Sequence, residues 1–161
     1  MRNRALSPFI SATLILIIGI IAISLVLSVI KPSLDKARDS VVIDEAFRNL
    51  NLIDDTIREV VSEGEDSKRT ILLRITEGKY LVDSDCDCIN FTYDMKTGLD
   101  ISGQRNGINI TRTGNTINLF ISYAKVDVQG SDHFTKGDNS AVVSHEGIDS
   151  ITNYPIICVG K

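Results

Sequence analysis

The spacing of hydrophobic and polar positions changes twice along this chain. From Ala5 to Ile30 there is no charged residue, with Arg2 and Arg4 before the run and Lys31 after it. Ile10, Leu14, Ile15, Leu16, Ile17, Ile18, Ile20, Ile21, Ile23, Leu25, Val26, Leu27, Val29 and Ile30 leave no polar stripe, so the run predicts a helix that is apolar on every face. At about 1.5 Å per residue it reaches roughly 39 Å, more than the ~30 Å of hydrocarbon in a bilayer. Such a surface gains only by leaving water, which places it in lipid or at the centre of a helix bundle. Ser11, Ala12, Thr13, Gly19, Ala22, Ser24 and Ser28 are scattered through it; Ser7 and Ser11, like Ser24 and Ser28, share a spacing that permits close helix approach.

Lys31-Pro32 predicts a break or kink, because proline lacks the amide donor and disfavours helix at the residue before it. From Ser33 to Ser62 apolar residues then recur at three and four spacing: Leu34, Ala37 and Val41, then Ile43, Phe47, Leu50, Ile53, Ile57, Val60 and Val61. Asp35, Lys36, Arg38, Asp39, Asp44, Glu45, Arg48, Asp54, Asp55, Arg58 and Glu59 are assigned to the other faces of this amphipathic helix. The stripe shifts phase between Val41 and Ile43. Gly64 and the acidic stretch around it end the helix.

Beyond Lys68 the period falls to two. Strands are expected at 70–76, 79–83, 88–94, 99–102, 108–111, 116–128, 141–146 and 156–159, separated by Gly- and Asn-containing turns such as Lys96-Thr97-Gly98, Arg105-Asn106-Gly107 and Thr113-Gly114-Asn115. The expected fold class is α+β: a long apolar helix continuing through a proline kink into an amphipathic helix, packed on an antiparallel, β-sandwich-like head.

Composition adds limits. The 161 residues carry a formal net charge of -4 with basic residues dispersed, so neither a nucleic-acid partner nor a phosphate-binding patch is expected. Trp is absent and aromatics are 6%, leaving Ile, Val and Leu to build the soluble core. Lys and Arg flank the apolar run in similar numbers on both sides, so they do not choose its orientation. Two sequons, Asn90-Phe91-Thr92 and Asn109-Ile110-Thr111, are glycosylation candidates usable only outside the cytoplasm. Cys86, Cys88 and Cys158 are disulfide candidates for the same compartment, with Cys158 expected to bridge to Cys86 or Cys88 and pin the last strand. Zinc held by the cysteines with His133 or His145 is the open alternative, although Cys-x-Cys is tighter than the usual structural zinc spacing.

Little else points to chemistry. Ser144-His145-Glu146 alternates across an expected strand and cannot form a triad by itself. Asp83, Asp85, Asp87 and Asp94 share the spacing of calcium-loop ligands, but Cys88 replaces the turn glycine and Asp94 is shorter than a bidentate Glu, so a solvated acidic turn is preferred. No catalytic residue, metal or cofactor is expected, and an enzyme is the least supported class.

The segment Arg4-Ala5-Leu6-Ser7-Pro8-Phe9-Ile10-Ser11 opens the apolar run with a basic residue, a small residue and Ser-Pro. It resembles the start of archaeal type IV pilins and looks like a class III signal peptide. The resemblance implies that a prepilin peptidase cuts between Ala5 and Leu6, making Leu6 the mature N-terminus. Its implied organisation is a leader at 1–5, a transmembrane and filament-core helix at 6–30, an amphipathic stem at 31–64 and a β-rich extracellular head at 65–161. Ser7, Pro8, Ile10, Leu14, Ile18, Gly19, Ser24 and Ser28 would belong to the assembly helix and Pro32 to the kink. Ile10 stands where bacterial and some archaeal pilins carry a Glu, so a register-setting salt bridge there is unavailable. The implied partners are copies of the chain itself, the peptidase, and the membrane before assembly. The implied place is the cell surface, with the head exposed for adhesion. Two rival expectations are a non-polymerising, membrane-anchored ectodomain and a secreted protein cut after Ser24, for which the apolar segment is too long.

Overall fold

The computed structural model describes residues 6–130 and 133–161. One helix, α1 (Leu6–Glu63), precedes eight strands: β1 (Lys68–Asp83), β2 (Cys88–Asp94), β3 (Gly103–Arg105), β4 (Ile108–Thr113), β5 (Thr116–Ser122), β6 (Asp127–Gln129), β7 (His133–Ile148) and β8 (Pro155–Gly160). The chain divides into two compact units, Met1–Arg38 and Asp39–Lys161.

The expected break at Pro32 is not found, for the helix continues through it. Pro32 removes only one amide donor, the one that would reach the Ser28 carbonyl, and helix on both sides propagates at one bond per residue. At the other end, Gly64 adopts φ 94 and its amide closes on the Val60 carbonyl. The Ser67 hydroxyl then shares its proton between the carbonyls of Val60 at 2.8 Å and Gly64 at 2.6 Å, closing off the helix end.

Within Asp39–Lys161 the strands form one sheet in the order β3-β4-β5-β2-β1-β7-β8-β6, antiparallel except for the β6–β8 pair. The fold is α+β. The layer that covers the sheet is the C-terminal part of α1: Val42, Ile43, Ala46, Phe47, Leu50, Ile53, Ile57 and Val60 join one buried cluster with Leu73, Tyr80, Phe91, Ile117, Leu119, Phe134, Val143 and Ile157. Alternation along the strands supplies that single apolar face, as in the buried Ile117, Leu119 and Ile121 of β5.

Several strand limits differ from expectation. Segments 70–76 and 79–83 are one strand, β1, whose register against β7 shifts between Ile75 and Lys79. The extra residues of this bulge need Gly78, at φ 86, where an added Cβ would sit 2.5 Å from the Phe91 ring. The long segment 116–128 splits into β5 and β6. Residues 99–102 form no strand. Arg112 donates Nη1 to the carbonyls of Gly98 at 3.3 Å and Leu99 at 3.0 Å, so side-chain bonds take the place of a ladder there.

Candidate functional site

The site that the sequence singles out is the apolar part of α1. Phe9, Ile10, Leu14, Ile18, Leu25 and Val29 are all exposed, Ile10 by 62% and Leu14 by 58%, in a stretch whose mean hydropathy reaches 3.0. This half of α1 is long and apolar enough to cross a membrane. Its hydroxyl groups are turned back onto the helix. Thr13 donates to the Phe9 carbonyl at 2.9 Å, Ser24 to Ile20 at 2.9 Å and Ser28 to Leu25 at 2.7 Å. With these three donors satisfied internally, that part of the surface makes little demand on a hydrogen-bonding solvent, as an apolar surrounding favours. Gly19 adds a notch: a Cβ there would meet nothing within 4 Å. The peptidase position at Ala5 lies outside the described residues, as do the side chains of Leu6, Ser7 and Pro8. The backbone of Pro8 falls in the first turn of α1, where an amide would lack an intrahelical partner in any case.

The phase shift near Val41 has a structural meaning. Leu34 and Val41 remain 63% and 59% exposed, whereas Val42 and Ile43 are buried. Asp39, assigned by sequence to a polar face, is instead fully buried. Its carboxylate accepts from the Tyr93 hydroxyl at 2.7 Å, the Lys96 amide at 3.2 Å, and the amide and hydroxyl of Thr97, each at 2.7 Å. Burial opposes its ionisation, but the bonds from Thr97, Tyr93 and Lys96 prevail and hold its pKa below the ordinary 3.8. Two further helix residues tie down the β1 bulge. Glu45 accepts from the Thr76 amide and hydroxyl, each at 2.7 Å, and Asn49 donates to the Arg74 carbonyl at 2.8 Å and the Tyr80 hydroxyl at 3.2 Å. Burial raises the Tyr80 pKa, an effect the bond from Asn49 only partly offsets. A signal for Asp39 was present in the sequence, since it lies in phase with Ile43, Ala46 and Leu50.

The cysteines pair differently from expectation. Cys86 and Cys88 form a disulfide with a Cα–Cα distance of 5.2 Å, and Cys158 lies outside this bridge on β8. Strands β1 and β7 stand between β2 and β8, roughly 14 Å at the usual strand spacing. Cys88 pairs with Asp83 at one end of β1, and Cys158 pairs through Ser144 with Lys68 at the other. No disulfide spans such a distance. Among the described residues, the group of potential metal ligands within 4.8 Å of one another is Asp83, Cys86 and Cys88, and its sulfurs are taken up by the bridge. His133 and His145, at opposite ends of β7, do not join it.

The acidic residues do not converge either. Asp83 accepts from the Asp85 amide within the β1–β2 turn, Asp87 accepts from the Val128 amide, and Asp94, at the far end of β2, accepts from Thr116. Ser144 donates to Glu146 at 2.7 Å while His145 is buried on the opposite face, so these neighbours form no triad. Both sequon asparagines are half-buried within strands. Asn90 on β2 and Asn109 on β4 pair with the same residue of β5, Phe120, and the Asn90 side-chain oxygen is enclosed.

Comparison with protein-family models, curated proteins and solved structures finds no match for this chain. An apolar N-terminal helix whose continuation packs on a β-sheet is consistent with a pilin-like fold.

Proposed function

We propose that this chain is a structural subunit of an archaeal type IV pilus-like surface filament. It polymerises through the apolar part of α1 and leaves the β-sheet unit exposed for adhesion or surface contact. The observation that carries this reading is the run from Phe9 to Ile30, apolar all round and exposed, with Thr13, Ser24 and Ser28 bonding their hydroxyls back to the helix. In the membrane that surface faces lipid; on assembly it exchanges lipid for the same helix of other subunits and never meets water. Packing and dispersion over many copies then hold the polymer, and Gly19 lets a neighbouring helix approach. The subunit needs no cofactor and performs no catalysis. A prepilin peptidase removes residues 1–5.

Native cell-surface fractions test the proposal. Cryo-electron microscopy should show helical filaments of this chain, and N-terminal sequencing of the filament protein should begin at Leu6. A detergent-solubilised protein that stays monomeric or forms only small closed oligomers, and that retains Met1, favours the rival reading, a membrane-anchored ectodomain.

A further inference from the structure

The turn Asp83–Cys88 joins β1 to β2, and Asp87, its last residue before β2, binds a different part of the sheet. Its side-chain Oδ1 accepts from the Val128 amide of β6 at 3.0 Å, and its backbone carbonyl accepts from the Tyr123 amide at 2.9 Å. Asp87 makes both bonds from a left-handed conformation, φ 49, that a residue other than glycine seldom holds. The disulfide adds a covalent constraint on the bend at this residue. An extended chain separates residues i and i+2 by about 6.6 Å or more, whereas Cys86 and Cys88 are bridged at a Cα–Cα distance of 5.2 Å, so the residue between them must bend. The bridge also presents two unlike sulfurs. Cys86 is exposed and Cys88 is 7% exposed.

We infer that Cys86–Cys88 is a thiol–disulfide exchange site, attacked at Cys86, whose opening releases the 123–129 segment from the β1–β2 turn. In the first step a thiolate of a dithiol reductant attacks Cys86 Sγ. A bond forms between the reductant and Cys86, the Sγ–Sγ bond breaks, and its electron pair leaves on Cys88, which then takes a proton. The second thiol of the reductant loses its proton and attacks the reductant's own sulfur in the mixed disulfide, expelling the Cys86 thiolate, which is protonated. The protein gains two electrons and two protons while the dithiol becomes a disulfide. Asp87 is then free to leave the left-handed region, and the Val128 and Tyr123 amides lose their acceptor. β6 is poised for this, as three residues paired with β8 alone. The device does not depend on whether the chain polymerises.

The full-length protein in detergent provides the test, with dithiothreitol as the probe. Peptide mapping of the untreated protein should find Cys86 linked to Cys88. Under mild dithiothreitol the mixed adduct, trapped by alkylation, should lie on Cys86. Hydrogen exchange at Val128 and Tyr123 should then quicken about tenfold, the scale expected when a very short loop is uncrosslinked, while Phe91 in the centre of β2 keeps its protection. Asp87→Ala provides a second arm that leaves the cysteines in place. Its Val128 amide should exchange fast without reductant, whereas Tyr123, bonded to the backbone carbonyl, should respond only to reduction. A bridge that includes Cys158, an adduct confined to Cys88, or unchanged exchange at Val128 and Tyr123 after full reduction overturns the inference.

Discussion

At the residue scale, two positions concentrate the constraints of the sheet unit. Asp39 offers one buried carboxylate to four donors. In Asp39→Asn an NH2 group replaces one acceptor oxygen and faces donors, so we expect a loss of about 1–3 kcal/mol, measured by denaturant unfolding of the full chain in detergent. The same group sets an acid limit. Its folded pKa lies below the unfolded 3.8, so its contribution is fully present above that value and is lost as pH falls through the folded pKa. Stability measured below pH 3.8 should therefore drop more steeply in the parent than in Asp39→Asn. Gly78 is the second position. With φ 86 and the Phe91 ring 2.5 Å from any added Cβ, Gly78→Ala should cost about 2–4 kcal/mol and shift the β1–β7 register, visible as altered amide exchange in Ile75 and Lys79.

At the scale of the element, α1 changes character without ending. Around Val41 the exposed apolar positions give way to a buried stripe, and the two should respond to truncation in opposite ways. Leu50→Ala, at a fully buried position, should lose about 2–5 kcal/mol. Leu34→Ala and Val41→Ala, both largely exposed, should stay within about 0.5 kcal/mol in the same assay. The stripe from Ile43 to Val60 was legible because a 3.6-residue period survives any choice of neighbour. The two polar anchors of the β1 bulge were not legible. The sequence pattern assigns Glu45 to a polar face and says nothing of Asn49; the bulge brings Thr76 and Arg74 to them, and nothing in the local sequence announces a partner about 25 to 31 residues away. The Cys86–Cys88 bridge was hidden for a related reason. Cysteine spacing leaves connectivity open, and only the strand order shows Cys158 to be out of reach.

At the scale of the whole molecule, the proposal requires a surface that is inert within one chain and decisive between chains. Gly19 separates these demands. An added Cβ there meets nothing within 4 Å in the chain itself and leucine is a better helix former than glycine, so Gly19→Leu should leave monomer stability and helix content in detergent no lower than in the parent. If the helices pack closely in a polymer, the same substitution should abolish or strongly reduce filaments seen by negative-stain microscopy. Filaments of normal number and length would sink the close-packing account.

By itself, the sequence determined the α+β class, the membrane-length apolar helix, the buried stripe of the amphipathic segment and most strand positions. Each follows from a local period, 3.6 or 2, that apolar burial enforces whatever the tertiary partner. The tertiary structure decided that helix runs through Pro32, that two expected strands are one bulged β1, that the expected strand at 99–102 gives way to Arg112 bonds at Gly98 and Leu99, and that Asp39 is a buried anchor. It also decided which cysteines meet. These outcomes depend on groups far apart in sequence that converge only after the sheet order is set. A carboxylate in phase with an apolar stripe is buried or solvated according to whether donors such as Tyr93 and Thr97 arrive to replace its water.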